Sequence, residues 1–273
     1  MSSPLVKILE SRIKKKLERY MNNELICSQT GFVPGNGILV NQTRLIDRVL
    51  KRVAHHEPKQ RKHVYGLFID FSNSYNTVPH QRLFKKLEKA LNDKEIQMVK
   101  AIYSRNKIKL GAQCFTPNVG VAQGSIISPA LFNVYCQDLY ERIRDEADVN
   151  EEDLLGYADD LLVICTSLSQ LRRVIQIINC WSEENNLQLN SKKSGIVEFL
   201  SRVGNIRKIL KVGESFEGIP VVSEYKYLGM WLDSKLTMDP QLKHILRRNQ
   251  LSFSINCSLY SEIFLLIIGL ICG

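Results

Sequence analysis

Two adjacent acidic residues, Asp159 and Asp160, lie between two short apolar segments of the sequence. Leu154-Leu155 precede the pair and Leu161–Ile164 follow it, which predicts that the acids lie at the bend of a β-hairpin. Carboxylates held on rigid strands are good ligands for a hard divalent cation. Asp pairs are also common in β-turns, because Asp tolerates turn dihedral angles and bonds to nearby backbone groups. The pair alone leaves both interpretations open.

A third acid, Asp70, lies near the end of an almost continuous apolar run, Val64–Phe71. Such a run predicts a buried central strand, and an isolated charge at its end needs a cation or a hydrogen-bond donor. If that strand ends beside the hairpin tip in an antiparallel sheet, Asp70 converges with Asp159 and Asp160. Three carboxylates suit Mg²⁺ or Mn²⁺ and do not suit Zn²⁺. Two such ions catalyse phosphoryl transfer, so a nucleic-acid polymerase or nuclease is predicted.

The elements that position these acids follow from the spacing of apolar residues. Helices are predicted to open at Ser3-Pro4 and at Ser128-Pro129, and another covers Ile38–Val53. Further helices and strands are predicted at Leu83, Phe84, Leu87 and Leu91, at Leu171, Val174, Ile175, Ile178 and Trp181, at Ile196–Leu200, and at Tyr225–Leu232. This order predicts an α+β fold, in which an antiparallel sheet carries helices on one face.

Composition points to a folded protein with a polyanionic partner. The chain has 273 residues, of which 44% are hydrophobic and 24% charged, so it can bury a large core. Its net charge of +9 favours phosphate-rich partners, because clustered Lys and Arg release counterions from phosphates. Basic residues are grouped in Arg12–Lys16, Lys51–Lys62 and Lys243–Arg248. A single run of this kind is usually a solvated helix face, whereas several together favour nucleic acid.

The cysteines and the chain ends bear on location. None of the seven cysteines forms a Cys-x-x-Cys pair, so neither a zinc site nor a disulfide framework is indicated. A reducing, intracellular location is expected, nuclear or cytoplasmic. The N-terminal residues lack a signal-peptide pattern, and the apolar run Ile263–Cys272 is too short to cross a bilayer. No membrane association is predicted.

Three ordered segments resemble motifs A, B and C of reverse transcriptases, especially those of the non-LTR retrotransposon (LINE-like) branch, with group II intron enzymes next. The segments are Phe68–Tyr75, Gly120–Asn133 and Tyr157–Asp160. Upstream, Gln29–Gly35 resembles the fingers loop of that branch. Downstream, Leu189–Ser194 resembles its motif D and Tyr227–Gly229 its primer grip. Each motif alone is weak, but the ordered set, from about Val6 to Leu236, is specific.

The resemblance implies roles for individual residues. Asp70 and Asp159 would ligand two Mg²⁺ ions, with Mn²⁺ possible, and Asp160 would support them. Lys193 would protonate the departing pyrophosphate, although a solvated pair with Lys192 is the alternative. The implied nucleotide-binding residues are Phe71, Tyr75, Gln123 and Gly124, and the implied primer grip is Tyr227, Leu228 and Gly229.

Three more of these assignments have plainer alternatives. Gln123 and Gly124 would line the pocket for the incoming nucleotide and template; otherwise they form a turn before the next helix. Tyr75 would act as a steric gate against the 2′-hydroxyl of a ribonucleotide; otherwise it is a core aromatic. The Tyr227–Gly229 segment would hold the primer end; otherwise it is an ordinary hairpin with Gly at the bend. The implied substrates are an RNA template, a DNA primer and deoxynucleotides, and the oligomeric state stays open.

The resemblance also implies a right-hand polymerase arrangement of fingers and palm. Residues 1–62 would form partial fingers, 63–240 the palm, and 241–273 an irregular tail in place of a thumb that is missing or incomplete. Asn76 replaces a common Asp and Ala122 a common Pro of the family. The upstream Arg-Pro-Ile type segment and the thumb are not recognised, so the chain resembles a fragment.

The sequence therefore predicts the RNA-directed DNA polymerase of a retroelement. Two alternatives remain open at this stage. One is a catalytically inactive RNA-binding remnant or maturase-like protein. The other is a viral RNA-directed RNA polymerase, against which Tyr75 speaks because ribonucleotide polymerases need room at that position.

Overall fold

A computed structural model describes residues 4–24, 29–33, 37–53, 63–105, 108–110, 113–122, 124–200, 208–237 and 239–249. The helices of this part are α1 (Pro4–Glu24), α2 (Ile38–Val53), α3 (Ser74–Thr77), α4 (His80–Leu87), α5 (Asp93–Ser104), α6 (Ser128–Ala147), α7 (Leu168–Asn185) and α8 (Asp239–Asn249). The strands are β1 (Val64–Ile69), β2 (Phe71–Ser72), β3 (Ile108–Leu110), β4 (Gln113–Phe115), β5 (Leu154–Tyr157), β6 (Asp160–Cys165), β7 (Gln188–Leu189), β8 (Gly195–Phe199), β9 (Ser215–Phe216), β10 (Ile219–Pro220), β11 (Glu224–Tyr227) and β12 (Met230–Asp233).

The core of the fold is a four-stranded antiparallel sheet in the order β5-β6-β1-β8. Strand β1 is central and buried along its whole length, as the apolar run predicts. Ile69 pairs with Leu161 of β6, and Phe68 pairs with Gly195 of β8. Because β1 ends where β6 begins, residues that leave β1 lie beside the β5-β6 hairpin.

Both faces of this sheet are covered. Leu67 and Ile69 point into the larger core with α6 and α7, whereas Val64 and Phe68 point into a second core with α2 and the β11-β12 hairpin. The α+β class is confirmed, but α2 lies on the face that was expected to carry no helix. A strand with an unbroken apolar run presents apolar side chains on both faces, so each face needs a cover.

The helix predicted through Leu91 is shorter than expected, and a separate helix follows it. Helix α4 ends at Leu87, and α5 starts afresh after Asn92. The Asn92 side chain accepts from the Glu95 backbone amide at 3.0 Å, and the Glu95 side chain accepts from the Asn92 amide at 2.9 Å. This capping box fixes a new helix start. The sequence analysis did not identify α5 or the β3-β4 hairpin.

Two further expectations differ from the structure. The single strand predicted over Tyr225–Leu232 is a hairpin, in which Leu228 and Gly229 both have positive φ, 47° and 88°. A two-residue turn in which both residues have positive φ has the same twist as the two strands that it joins, so it suits a hairpin. Ser128 does not cap α6; its hydroxyl donates to the Ala122 carbonyl at 2.6 Å.

Part of the segment expected to be an irregular tail is helical. Helix α8 packs against β12 through the ring of His244, which stacks on Trp231 with centroids 3.8 Å apart. The Gln241 side chain also accepts from the Trp231 amide at 3.0 Å. Ser3, Gln123 and the apolar run Ile263–Cys272 lie outside the described residues. In the described part of the chain, no helix is both long enough and apolar enough to cross a bilayer.

Candidate active site

The acids predicted to converge lie at one edge of the sheet. Asp70 follows β1 and Asp160 is the first residue of β6. Because the strands are antiparallel, both acids lie next to the Ile69–Leu161 pair, at the same end of the sheet. Tyr157 pairs with Asp160 across a two-residue turn formed by Ala158 and Asp159, which confirms the predicted hairpin. All three acids are half-buried. The sheet therefore holds three carboxylates beside one another at its edge.

Asp70 and Asp159 line one open cavity of about 470 Å³. Its other lining residues are Phe71, Ser72, Asn73, Ser74, Tyr75, Asn76, Asn190 and Lys193. Asp160 is not one of the lining residues, but its charge interacts with those of Asp159, Asp70 and Lys193. The cavity thus collects side chains from the segments that follow β1, the hairpin turn and the loop before β8.

Negative charge dominates this edge of the sheet. Burial, and then the neighbouring charges of Asp159 and Asp70, raise the pKa of Asp160 to about 6, against the opposing effect of Lys193. No group of three or more His, Cys, Asp or Glu among the described residues forms a metal site by itself. Two carboxylates on an open cavity leave the remaining positions around a cation to other ligands.

Hydrogen bonds orient the acids. The Ser74 hydroxyl donates to the Asp159 carboxylate at 3.0 Å, which links the segment after β1 to the hairpin turn. The Asp70 amide donates to the Ser194 hydroxyl at 3.1 Å, and the Asp70 carbonyl accepts from the Asn190 amide at 2.8 Å. Ser74, Ser194 and Asn190 were not predicted to have a role, and their only signal in the sequence is their position inside motif-like segments.

Tyr75 lies between the cavity and the core. Its half-buried ring lines the cavity and stacks on Phe132, with centroids 4.6 Å apart. Its hydroxyl is buried and has no hydrogen-bond partner among the described residues. Burial, and then the charge of Asp159, raise the pKa of Tyr75 well above its usual value. The phenol therefore stays neutral, and its rigidly supported ring forms part of the cavity wall.

Other predicted nucleotide contacts have mixed outcomes. Phe71 is only 5% exposed, and its ring packs toward Trp181 at 6.3 Å, so its side chain belongs to the core. Gly124 is exposed and has φ of +82°, in a turn that a side chain would strain. Gln123 is outside the described residues. The Val121 amide donates to the Tyr75 carbonyl at 2.7 Å, so the motif B segment runs beside the cavity wall.

The structure distinguishes the two neighbouring lysines. Lys193 lines the cavity, and its charge lowers the pKa of Asp160. Lys192 is exposed and is not part of the cavity wall. The Lys193 carbonyl accepts from the Tyr225 hydroxyl at 2.7 Å, which fixes the loop to the β11-β12 hairpin.

The predicted primer grip is firmly anchored. The Tyr227 side chain is 3% exposed, and its hydroxyl accepts from Asn41 at 3.4 Å. Gln42 donates to the Leu228 carbonyl at 3.0 Å, so α2 holds the turn at two points. Tyr227 therefore anchors the hairpin and has no ring surface to offer a primer, whereas Gly229 is exposed at the turn.

An antiparallel sheet with three acids at one edge, covered on one face by two helices, is the arrangement of a polymerase palm. The family model described as "Reverse transcriptase (RNA-dependent DNA polymerase)" matches residues 1–232. The chain belongs to this family.

Similar proteins include enzymes of insect retroelements. The RNA-directed DNA polymerase from mobile element jockey of Drosophila melanogaster is 26% identical over 235 residues, covering 75% of this chain and 25% of that protein. The probable RNA-directed DNA polymerase from transposon BS of the same species is 25% identical over 264 residues, covering 90% of this chain and 28% of that protein. The chain thus spans about a quarter of the length of these relatives.

Solved structures of telomerase share the fold. Apo telomerase from Candida tropicalis, truncated from its C-terminal domain, has a TM-score of 0.58 at 15% identity, covering 84% of this chain and 44% of that one. Telomerase from Candida albicans, in complex with a TWJ fragment of telomeric RNA, has a TM-score of 0.58 at 13% identity, covering 92% and 43%. At this identity the likeness concerns the fold alone.

Proposed function

We propose that this chain carries the palm of a retroelement RNA-directed DNA polymerase, which extends a DNA primer on an RNA template with deoxynucleotides. Membership of the reverse transcriptase family supports the chemistry, and the retroelement relatives support the setting. The observation that carries the proposal is the shared cavity of Asp70, Asp159 and Tyr75. The two acids that would bind metal and the aromatic ring that would act as a gate line the same cavity.

The acids suit a pair of divalent cations, Mg²⁺ or alternatively Mn²⁺. Asp70 and Asp159 would hold them, and a cation would offset the burial and the like charges of Asp159 and Asp70 that together raise the pKa of Asp160. Mg²⁺ in particular is bound by one or two carboxylates plus water and substrate phosphates, which agrees with a two-carboxylate cavity wall. When bound, such ions activate the attacking hydroxyl and stabilise the leaving oxygen.

The reaction joins the primer to the incoming nucleotide. The primer 3′-oxygen forms a bond to the α-phosphorus, and the bond from that phosphorus to the pyrophosphate oxygen breaks. The proton of the 3′-hydroxyl passes to solvent water, and Lys193 supplies a proton to the departing pyrophosphate. Ser74 contributes by holding the Asp159 carboxylate in one orientation through its 3.0 Å hydrogen bond.

Substrate selection follows from the cavity wall. The Tyr75 ring, supported by Phe132, occupies space that a 2′-hydroxyl would need, so deoxynucleotides are preferred. The Val121 segment and Gly124 would lie along the nucleotide and template, and the Leu228-Gly229 turn would contact the primer end. We also retain as proposals the division into fingers at 1–62, palm at 63–240 and tail at 241–273, and an intracellular location.

Primer extension separates this function from an inactive RNA-binding remnant. The chain is incubated with an RNA template, an annealed DNA primer, deoxynucleotides and Mg²⁺, and RNA binding is measured in parallel by filter retention over a range of salt. We expect extension that stops when the metal is chelated. Salt-sensitive binding without extension would instead support the remnant. Equal use of ribonucleotides would favour an RNA-directed RNA polymerase.

A further inference from the structure

Helix α1 carries a basic face that lies apart from the acidic cavity. Its cations line a separate concave surface of about 530 Å³, which shares no residue with the cavity of Asp70 and Asp159. The residues that line it are Arg12, Lys15, Lys16, Arg19, Tyr20, Ala90 and Glu95. We name this surface the α1 groove.

The α1 groove is held in place by the packing of its helix. Ile13 and Leu17 are almost fully buried on the opposite side of α1, so the basic side faces outward. The Tyr20 hydroxyl donates to Gln137 of α6 at 3.0 Å, and Lys16 bonds to Glu95 of α5 at 2.5 Å. Since α5 and α6 both fix α1, the groove does not depend on the conformation of a loop.

Three cations of the groove keep their charge available. Lys16 is neutralised by Glu95. Arg12, Lys15 and Arg19 are exposed, and none of them forms an ion pair with a carboxylate of the described residues. They occupy positions i, i+3 and i+7 of one helix face, which places them roughly 4.5 and 6 Å apart along the axis. This row of three cations suits a series of neighbouring phosphates better than it suits a single compact anion.

We propose that the α1 groove binds the sugar-phosphate backbone of single-stranded RNA outside the active site. Arg is well suited to phosphate recognition, and Tyr20 at the end of the row offers an aromatic surface to a base. Buried Glu10 of the same helix accepts from the Ser125 hydroxyl at 2.6 Å, next to the Gly124 turn. RNA on α1 would therefore continue toward the template side of the cavity. The inference rests on the proposed function for the identity of its ligand.

The test compares two triple variants with the same change in charge. The first carries Arg12→Gln, Lys15→Gln and Arg19→Gln. The control carries Arg144→Gln, Arg172→Gln and Lys211→Gln, whose cations are paired with Asp145, Glu217 and Glu214. Binding of an unstructured RNA oligonucleotide without primer is measured by filter retention over a range of NaCl concentrations.

We expect the groove variant to bind RNA at least about ten-fold more weakly and its salt slope to fall by about 2, since roughly 0.7 is lost per phosphate contact in a single strand. The control should keep wild-type affinity. Equal loss in both variants, or no loss in the groove variant, would overturn the proposal. If the wild-type chain binds RNA in this way but fails to extend a primer, the groove stands and the proposed function fails.

A second inference concerns Gln29, whose side chain brackets the turn that carries Asp159. Its amide nitrogen donates to the Ala158 carbonyl and to the Tyr140 hydroxyl, each at 3.2 Å. Its oxygen accepts from the Ala158 amide at 3.1 Å and from the Gly31 amide at 2.9 Å. Both donors and both acceptor sites of the carboxamide are used.

The bracket acts on a strained residue. Ala158 has φ of 58°, a left-handed conformation that is unfavourable for a residue other than Gly. Gln29 holds both backbone groups of Ala158 and is itself 6% exposed. The Thr30 amide adds a bond to the Gly156 carbonyl at 2.9 Å. The direction in which the next residue, Asp159, leaves the turn is thereby fixed.

We infer that Gln29 is a positioning residue, which sets the placement of the Asp159 carboxylate without touching substrate. This inference also rests on the proposed function. Gln29→Glu keeps the shape of the side chain but removes its donors, so it loses the bond to the Ala158 carbonyl, whereas the Tyr140 hydroxyl can still donate to the new carboxylate. Gln170→Glu is the matched control, because Gln170 also donates to two backbone carbonyls, those of Ala147 and Asp148, at 3.2 and 2.8 Å.

We expect Gln29→Glu to lower kcat by about 10- to 100-fold and to raise the Mg²⁺ concentration for half-maximal rate, with little change in the KM for deoxynucleotides. Gln170→Glu should lower thermal stability alone. Wild-type kcat and Mg²⁺ dependence in folded Gln29→Glu, or an equal loss of kcat in Gln170→Glu, would overturn the inference. If the wild-type chain does not extend primers, calorimetric Mg²⁺ titration of the two variants still tests Gln29, while the proposed function fails on its own.

Discussion

At the residue scale, the acidic edge of the sheet is electrostatically unfavourable until something positive joins it. Burial and the like charges of Asp159 and Asp70 all disfavour the ionised form of Asp160. Among the described residues, Lys193 is the one cation that favours it. Groups poised in this way are typical of functional sites, where stability is given up for chemistry. A variant that removes the charge of Asp160 and a variant that removes the charge of Lys193 test this view.

Asp160→Asn should stabilise the metal-free protein. Because the pKa of Asp160 is raised from 3.8 to about 6 in the folded state, its ionisation destabilises the fold as pH rises through that window. We expect the variant to gain about 1 kcal/mol of unfolding free energy near pH 7, after allowing for solvent screening, and to gain nothing near pH 4. Urea denaturation with a chelator at the two pH values measures this, and an equal gain at both would contradict it.

Lys193→Ala should slow nucleotide addition, whereas Lys192→Ala should leave it almost unchanged. Lys193 faces the acids and Lys192 does not. If Lys193 supplies the proton to pyrophosphate, its loss lowers the single-turnover rate by roughly 10² or more. Rapid-quench measurement of one incorporation compares the pair, and similar rates for both variants would remove the proposed role of Lys193.

Tyr75→Ala should admit ribonucleotides, and Tyr75→Phe should not. The ring forms the cavity wall, while the hydroxyl has no partner among the described residues, so only the ring can discriminate. We expect the preference for deoxynucleotides, as a ratio of kcat/KM values, to fall by roughly 10² in the Ala variant, about 3 kcal/mol of discrimination. A Tyr75→Phe variant that also accepts ribonucleotides would assign the selectivity to the hydroxyl.

At the element scale, the contact between the 29–33 segment and the hairpin turn depends on the absence of a side chain at Gly31. A Cβ built at Gly31 would lie 2.2 Å from the Ala158 amide nitrogen, and backbone cannot move aside as a flexible side chain can. At Gly37 a Cβ would meet nothing within 4 Å. The two glycines are therefore a matched pair.

Gly31→Ala should lower the free energy of unfolding by about 1–3 kcal/mol and reduce primer extension, because it pushes the Gln29 bracket away from Asp159. Gly37→Ala should change neither by much, or should stabilise slightly by restricting the unfolded chain. Thermal unfolding and extension assays on both variants provide the comparison. Unchanged activity and stability in Gly31→Ala would show that the segment does not support the turn.

Elements with strong local patterns could be predicted from the sequence. The unbroken apolar run of β1, the paired apolar segments of the hairpin and the stripe of α7 all lie where they were expected. The break after Leu87 was missed because the apolar spacing continues to Leu91, and only the Asn92 cap interrupts it. The hairpin at Leu228-Gly229 was expected only as the alternative to a primer grip, and the positive φ of Leu228 was not expected because Leu rarely adopts it.

The site was predictable only in part, for a physical reason. Asp70 and Asp159 could be brought together from sequence, since strand ends and hairpin tips meet in an antiparallel sheet. Contacts between distant segments carry no local signal, and so Gln29, Ser74 and Tyr225 were not recognised as supports. The same holds for the burial of Phe71 and Tyr227, whose aromatic rings suggested ligand contacts but pack inside the protein.

At the scale of the whole molecule, one sheet links the acidic edge to the surfaces around it. Helix α2 holds the β11-β12 hairpin, the hairpin holds the Lys193 loop through Tyr225, and α1 joins the turn before α6 to the basic groove. The fold is shared with telomerase, and the family is that of reverse transcriptases. The proposed polymerase activity therefore depends on contacts among α1, α2, the β11-β12 hairpin and the Lys193 loop. The acids that these elements surround offer the simplest test of that activity.

The most direct measurement is the rate of a single deoxynucleotide addition to a DNA primer on an RNA template with Mg²⁺, for the wild-type chain and for Asp159→Asn. Asp145→Asn, at an exposed ion pair far from the cavity in sequence, is the control. We predict a loss of at least about 10³-fold for Asp159→Asn with unchanged folding and primer-template affinity, and no loss for the control. Wild-type extension by folded Asp159→Asn would contradict the account.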